Sequence, residues 1–326
     1  MQWVIGIDIG GTNCVVGAVA ADGSRVVGDH SQPTGAARGA DAVIADVTAM
    51  SRRSIAELRA VDPDAEVIGV GAGAPGPLDI HRGIVLLTPN LGWTNVPLRA
   101  AVGDGLGLPA ALENDANCAV LAECWVGAAQ RGKYVIGLTL GTGIGGGIVI
   151  DGKLYHGASD SAAEFGHHVI DIDGPLCGCG NHGCLEAFAS GRNIARRAIE
   201  LLGDGKPSLL RDLAGGDVTR VTAELVYEAA AQGDPAARRV ADDTARYLGI
   251  GLANFLNIFN PDTVVILGGV IHAGDALFVP LRREVAARAF KPSVDACTII
   301  PGALEGLAGV YGAARAFLQQ REAGLV

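Results

Sequence analysis

Apolar positions in this chain fall in short runs closed at both ends by glycine, and one such run occurs twice. Val4-Ile-Gly-Ile-Asp-Ile-Gly-Gly-Thr-Asn leads into Cys14-Val-Val-Gly-Ala-Val-Ala-Ala-Asp-Gly. Val135-Ile-Gly-Leu-Thr-Leu-Gly-Thr-Gly-Ile leads into Gly145-Gly-Gly-Ile-Val-Ile-Asp-Gly. Short apolar runs bounded by turn residues predict buried strands, and Asp-Gly predicts a hairpin. Each copy therefore reads strand, Gly-rich turn, strand, Asp-Gly turn, strand. The offset, Val4 to Val135, is 131 residues. Solenoid periods are ~20–50 residues, so this spacing points to a duplicated domain.

Between and after the copies the pattern alternates. Residues 38–60 set Val43, Ile44, Val47, Ile55 and Leu58 against Arg52, Arg53, Glu57 and Arg59, as an amphipathic helix does. Val67 to Gly76 reads as a buried strand running into a loop, and Pro109 to Asp115 as a short strand before a helix from about Ala116 to Ala129. Residues 221–232 and 234–258 read as helices, Thr263 to Gly269 as strand and turn, and 302–320 as a final helix. Alternating β and α units predict sheets covered by helices on both faces. Two such domains would set the turns Gly10-Gly11-Thr12 and Gly141-Thr142-Gly143 across one cleft, where bare backbone N–H groups can meet phosphate oxygens. A single turn of this kind is often only a tight hairpin; two at equivalent places in a repeat carry more weight. Each joins strand to strand, so neither is a dinucleotide fingerprint, which joins strand to helix.

Composition narrows the field. Of 326 residues nearly half are hydrophobic, so a sizeable core is available; the formal charge is −10, with no basic run, which argues against nucleic acid as the main partner. The opening residues lack a basic leader, and no apolar run approaches a membrane span, so a cytoplasmic chain without membrane attachment is expected. An odd number of cysteines, seven, fits a reducing compartment. Cys14, Cys118, Cys124 and Cys297 read as small buried apolar residues.

The remaining cysteines stand apart. Glu164-Phe-Gly-His167-His168 is followed by Cys177-Gly-Cys179 and Cys184-Leu-Glu186, a spacing of H-x9-C-x-C-x4-C. Three thiols and an imidazole suit a closed tetrahedral structural Zn2+ site, and Gly178, Gly180 and Gly183 allow the tight turns it needs. A disulfide plus a spare thiol is the competing reading and suits a secreted chain better. His182 reads as an exposed turn residue.

Asp8-Ile-Gly-Gly-Thr, Glu113-Asn-Asp-Ala-Asn, Gly141-Thr-Gly-Ile-Gly-Gly-Gly and the Glu164–Glu186 segment occur in that order. Taken together they resemble the ROK family (repressors, open reading frames, kinases), and within it the bacterial glucokinases, over essentially the whole chain. The zinc segment is specific to that family; the glycine turns are shared with the wider actin-like sugar kinases. The resemblance implies an α/β, actin-like ATPase (ribonuclease H-like) fold of two similar lobes with the active site between them. Its lobes would be 1–116, completed by the C-terminal helix 302–326, and 117–301, which carries the zinc loop 164–186. It implies Asp115 as catalytic base and Gly73, Asn90, Asn114, Glu164, His167 and Glu186 as sugar contacts. Asp8 would help place Mg2+, Gly10, Gly11, Thr12, Asn13, Gly141, Thr142 and Gly143 would meet the phosphates of ATP, and Gly268-Gly269 would lie beside adenosine. His167, rather than His168, would join Cys177, Cys179 and Cys184 on zinc, with its second ring nitrogen turned to a sugar hydroxyl. Metal on one nitrogen fixes the tautomer, so the other becomes an aimed donor. His168 departs from the apolar residue expected there.

Phosphoryl transfer needs positioning and charge neutralisation, and a sugar alcohol needs a carboxylate to take its proton. Asp115 fits that need; it also reads as an N-cap for the helix beginning at Ala116. Glu113 reads as structural. No lysine lies in a Walker-type loop, so neutralisation is expected from Mg2+, backbone N–H groups and closure. The expected activity is ATP-dependent phosphorylation of glucose at its 6-hydroxyl by a homo-oligomer, a dimer or a tetramer. Rivals are kinases for mannose, fructose or N-acetylhexosamines, a polyphosphate donor, and a sugar-sensing ROK repressor. The repressors carry a helix-turn-helix segment ahead of the sugar-binding part, and none fits before the first strand here.

Overall fold

The computed structural model describes residues 1–203 and 208–326. In chain order its strands are β1 (Gln2–Ile9), β2 (Asn13–Ala20), β3 (Val26–Pro33), β4 (Glu66–Ala74), β5 (Leu78–Asp79), β6 (Ile84–Thr88), β7 (Trp93–Val96), β8 (Ala110–Asn114), β9 (Tyr134–Leu140), β10 (Ile144–Ile150), β11 (Lys153–Leu154), β12 (Thr263–Leu267) and β13 (Thr298–Pro301). They form two five-stranded sheets, β3-β2-β1-β4-β8 and β11-β10-β9-β12-β13, and a small sheet β5-β6-β7. The two large sheets share one topology. In the first, β1 pairs antiparallel with β2 and parallel with β4, and β4 parallel with β8. In the second, β10 pairs antiparallel with β11, while β9, β12 and β13 run parallel. The duplication read from the apolar runs is thus a duplication of strand order.

Two compact units result. One comprises Met1–Gly132, Gly147–Ala163 and Ala303–Val326; the other comprises Lys133–Gly146 and Glu164–Gly302. The first extends past residue 116 and includes the helix Asp115–Trp125.

Period-two alternation explains the first unit. Trp3, Ile5, Ile7 and Ile9 point to one side of β1 and pack with Val43, Val47 and Leu58 of the helix Ala40–Val61. Val4 points to the other side and packs with Val19 of β2 and with Val310, Ala314 and Phe317 of the helix Ala308–Glu322. Gly6 and Asp8 share that second face. A Cβ on Gly6 would sit 2.1 Å from the Val310 carbonyl oxygen, and one on Gly71 of β4 would sit 1.8 Å from that of Ala313, so only glycine lets this helix lie against the sheet. The helix starts six residues later than the sequence predicts. The reason is Glu123, fully buried, whose Oε1 accepts from the N–H groups of Ala303 and Leu304 and whose Oε2 accepts from Ala128. These bonds hold 303–304 outside the helix, before a short 3-10 turn at Glu305–Leu307. Of the four cysteines read as buried, Cys14 and Cys118 are; Cys124 and Cys297 are half-buried. Among the described residues no helix is long and apolar enough to cross a membrane.

Candidate active site

In the first unit the parallel register gathers the chemistry at the carboxyl ends of three strands. Asp8 of β1 lies beside Gly73 of β4, and Gly73 beside Glu113 of β8. The next residues, Asn114 and Asp115, turn the chain from strand into helix. Asn114 is the N-cap: its Oδ1 accepts from the N–H groups of Ala116 (3.0 Å) and Asn117 (3.1 Å). Asp115 is the first helical residue, not the cap, so the capping alternative moves to its neighbour. One Asp115 oxygen accepts from Ala116 N–H at 2.8 Å. A Cβ on Gly309 would lie 2.2 Å from Asp8 Oδ2, so this glycine leaves room for the acid, and a Cβ on Gly73 would lie 3.7 Å from Asp115 Cα, in ordinary contact.

Asp8 and Asp115 feel each other. The Asp8 carboxyl is pushed up to about 7, first by burial and then by the Asp115 carboxylate. Both effects are ones a divalent cation would reverse, so the pair fits Mg2+. The Gly10–Asn13 turn follows β1. Gly10 N–H donates to the Asn13 carbonyl, Thr34 Oγ1 donates to the Gly10 carbonyl and Thr34 N–H to that of Thr12. Asn90 is exposed, and its Cβ lies 4.0 Å from where a side chain on Gly11 would start.

The second unit gathers the other set. Gly141 N–H donates to the Gly143 carbonyl, closing the turn between β9 and β10. Glu186 reaches it: Oε2 accepts from Ile144 N–H at 2.8 Å, and a Cβ on Gly143 would strike that oxygen at 2.5 Å. The Cys/His segment and the Gly turn are therefore physically tied, which the sequence did not reveal. Gly268 has φ +92° and faces the Leu140 carbonyl, where a Cβ would sit at 2.3 Å. Beside these turns lies a cavity of about 1000 Å³, walled by Gly141, Thr142, Arg192, Tyr227, Val270 and Ala276 among others. It is mostly apolar with a few polar groups, as small-molecule sites are. Arg192 was missed by sequence reasoning. It opens the helix Gly191–Leu202, whose Gly191 N–H donates to the Gly141 carbonyl. The available signal was Ser190 as N-cap before apolar Ile194, Ala198 and Leu202 at four-residue spacing.

His167, Cys177, Cys179 and Cys184 bring their ligand atoms within 4.8 Å of one another. Cys179 Sγ and Cys184 Sγ are 3.7 Å apart, as are His167 Nδ1 and Cys177 Sγ. Tetrahedral zinc with ~2.3 Å bonds to sulfur needs S···S edges of about 3.8 Å, so the donor set and its size fit the metal. His167 Nε2 faces away from the thiols and lies 4.0 Å from Glu164 Oε2. His168 takes no part: its Nδ1–H donates to the Phe165 carbonyl, its ring packs on Phe255, and burial holds its pKa down. His182 is exposed, its Nδ1 bonded to the Gly174 carbonyl.

Residues 4–320 match the family model described as ROK family. The chain belongs to the ROK family. A glucokinase of Thermotoga maritima is 38% identical over 312 residues, covering 95% of this chain and 96% of the relative. The crystal structure of a ROK family glucokinase from Streptomyces griseus in complex with glucose and AMPPNP superimposes with a TM-score of 0.82 at 36% identity, covering 96% of this chain and 98% of that one. The ROK family also includes repressors: a xylose repressor of Caldicellulosiruptor bescii is 38% identical over 224 residues, 69% of this chain and 56% of the repressor. The ROK chain described here thus has the actin-like α/β fold with two sheets and a Cys/His cluster that can hold a metal.

Proposed function

We propose that this ROK protein transfers the terminal phosphoryl group of ATP to the 6-hydroxyl of glucose. The observation that carries this reading is the turn at Asn114-Asp115. Asn114 spends its Oδ1 on the helix cap, which leaves its amide Nδ2 to donate to a sugar hydroxyl. Asp115, fixed at the first helical position, takes the proton of the attacking hydroxyl as general base. The family resemblance adds Gly73, Asn90, Glu164, His167 and Glu186 as further sugar contacts, with His167 Nε2–H as donor. Zinc on His167, Cys177, Cys179 and Cys184 would fix that ring and the loop around it. Mg2+ near Asp8 would supply the countercharge that the transferring phosphoryl group needs. The apolar cavity beside Gly141-Thr142 and Gly268-Gly269 favours ATP over polyphosphate, which has no base to fill it. Similarity to named glucokinases along nearly the whole length of both chains supports the choice of sugar.

The test is coupled ADP release by purified protein across glucose, mannose, fructose, N-acetylglucosamine and N-acetylmannosamine. Glucose is expected to have the highest kcat/KM. A higher value for fructose or an N-acetylhexosamine overturns the assignment, and turnover with polyphosphate in place of ATP overturns the donor.

A further inference from the structure

One buried carboxylate lies next to the catalytic turn and is assigned no chemistry by the reading above. Glu113 is 1% exposed and makes three hydrogen bonds. Its Oε1 accepts from Asn114 N–H at 2.9 Å and from Asn117 Nδ2 at 3.0 Å. Its Oε2 is paired with His156 Nε2 at 2.8 Å. An ionised carboxylate only accepts, so the imidazole is the donor, and it can donate whether neutral or charged. The Glu113 bond is also the chief reason that the His156 pKa stands above its usual value.

We infer that His156 is a positioning residue for phosphoryl transfer, acting through Glu113 on the turn that carries Asn114 and Asp115. The geometry gives the reason. The two partners of Oε1, Asn114 and Asn117, straddle Asp115 in the chain. A carboxylate is planar, so pinning Oε2 sets where Oε1 points. His156 is the partner that holds Oε2, at 2.8 Å. Without it, a buried oxygen loses its donor and the carboxylate is free to rotate, which weakens the bond to Asn114 N–H. A general base must stay within hydrogen-bond reach of its proton, and a misplacement of ~1 Å can cost ~10²-fold in rate. The side chain of His156 is itself 31% exposed. It stands on a segment anchored by Tyr155 N–H to the Ile148 carbonyl and by Ala162 N–H to its own carbonyl.

This inference rests on the kinase reading, and the experiment separates the two. Wild type, His156→Ala and His156→Gln are compared by steady-state kinetics at saturating glucose and ATP, by calorimetric glucose binding and by thermal melting. Gln returns an N–H donor near the place of Nε2. His156→Ala is expected to lose tenfold or more in kcat, with glucose Kd and ATP KM within threefold of wild type. His156→Gln is expected to recover to within threefold of the wild-type kcat. The inference is overturned if His156→Ala keeps kcat within twofold of an active wild type. It is equally overturned if His156→Gln is as slow as His156→Ala. An Ala loss shared equally by kcat and glucose affinity, with a lowered melting temperature, makes the role merely structural and also overturns it. A wild type that phosphorylates no hexose overturns the kinase reading and this inference together.

Discussion

The two large sheets have the same strand order but end in different chemistry. The last residue but one of β1 is Asp8; at the equivalent place, 131 residues on, β9 has Thr139. Beyond β1 the first sheet meets acids: Asp8 in row with Gly73 and Glu113, then Asp115. Beyond β9 the second sheet meets an apolar cavity, and its Gly turn is gripped by Glu186 from the Cys/His segment. Duplication supplied two equivalent frames, and divergence at strand ends gave one an acid cluster and the other a nucleotide-sized cavity. Strand interiors are constrained by packing on both faces, whereas residues just past the carboxyl ends are free to change, which is where ligands of α/β sheets bind.

The sharpest way to break this division of labour is at Asp115. Asp115→Asn keeps size and the bond from Ala116 N–H but cannot take a proton. Turnover is expected to fall by roughly 10²–10⁴-fold. Glucose binding by calorimetry should stay within about tenfold, which is ~1.4 kcal/mol. Near-normal kcat would remove Asp115 from the mechanism and leave the first sheet without its chemistry.

Next comes the metal cluster of the second unit. Elemental analysis of protein purified without chelator should find about one zinc per chain, and Cys179→Ser should lose most of it and melt earlier, because ligand binding to the native fold adds directly to stability. Cys14→Ser, a change in the first unit, should leave the zinc content unchanged. A metal-free wild type with full activity would refute the site.

Packing gives a smaller effect. Gly6→Ala forces a Cβ to within 2.1 Å of the Val310 carbonyl oxygen. Overpacking of this kind costs about 1–3 kcal/mol. For a unit of this size that lowers the melting temperature by about 2–4 °C per kcal/mol. Gly141→Ala, which meets nothing within 4 Å, should melt like wild type. Equal melting of both variants would show that the first sheet does not need its close helix contact.

The smallest effect is in pH. His156 faces Glu113 and Asp160, and the Glu113 hydrogen bond raises its folded pKa. A raised histidine stabilises the fold fully below its unfolded pKa of about 6.5, and that contribution is lost as pH rises through the folded value. Melting curves from pH 6 to 9 should show a decline in wild type that His156→Gln lacks. Parallel curves for the two proteins would contradict the sign.

How much of this was legible depended on how local the signal was. The two Gly-bounded β units were readable because each lies in one stretch of twenty residues, and Cys177, Cys179 and Cys184 because metal spacing is itself local. The Asp115 turn was half-legible: an Asx-rich junction announces a cap, but Asn114 and Asp115 are both good caps and only geometry separates them. The nucleotide-sized cavity was not legible, since Thr142, Arg192, Tyr227 and Ala276 come from four separate segments. His156 was invisible for the same reason. It stands 43 residues from Glu113, and a single His-Gly after a strand reads as an ordinary turn. The small sheet β5-β6-β7 was missed because its strands are too short to show a period.

The close fit of the helix Ala308–Glu322 also bears on the order of biogenesis. That helix covers the Val4, Val19 and Ala111 face of the first sheet, yet it is separated from β1 by some three hundred residues of chain. Emerging from a ribosome, β1 to β8 must wait with that face bare while everything up to Gly302 is synthesised. The second unit, by contrast, ends at Gly302 and can close as soon as β13 appears. Long-range pairing of this kind slows folding and leaves apolar surface open to aggregation meanwhile. The part of the chain made first is therefore the part finished last, since its second face is covered only when the final helix docks.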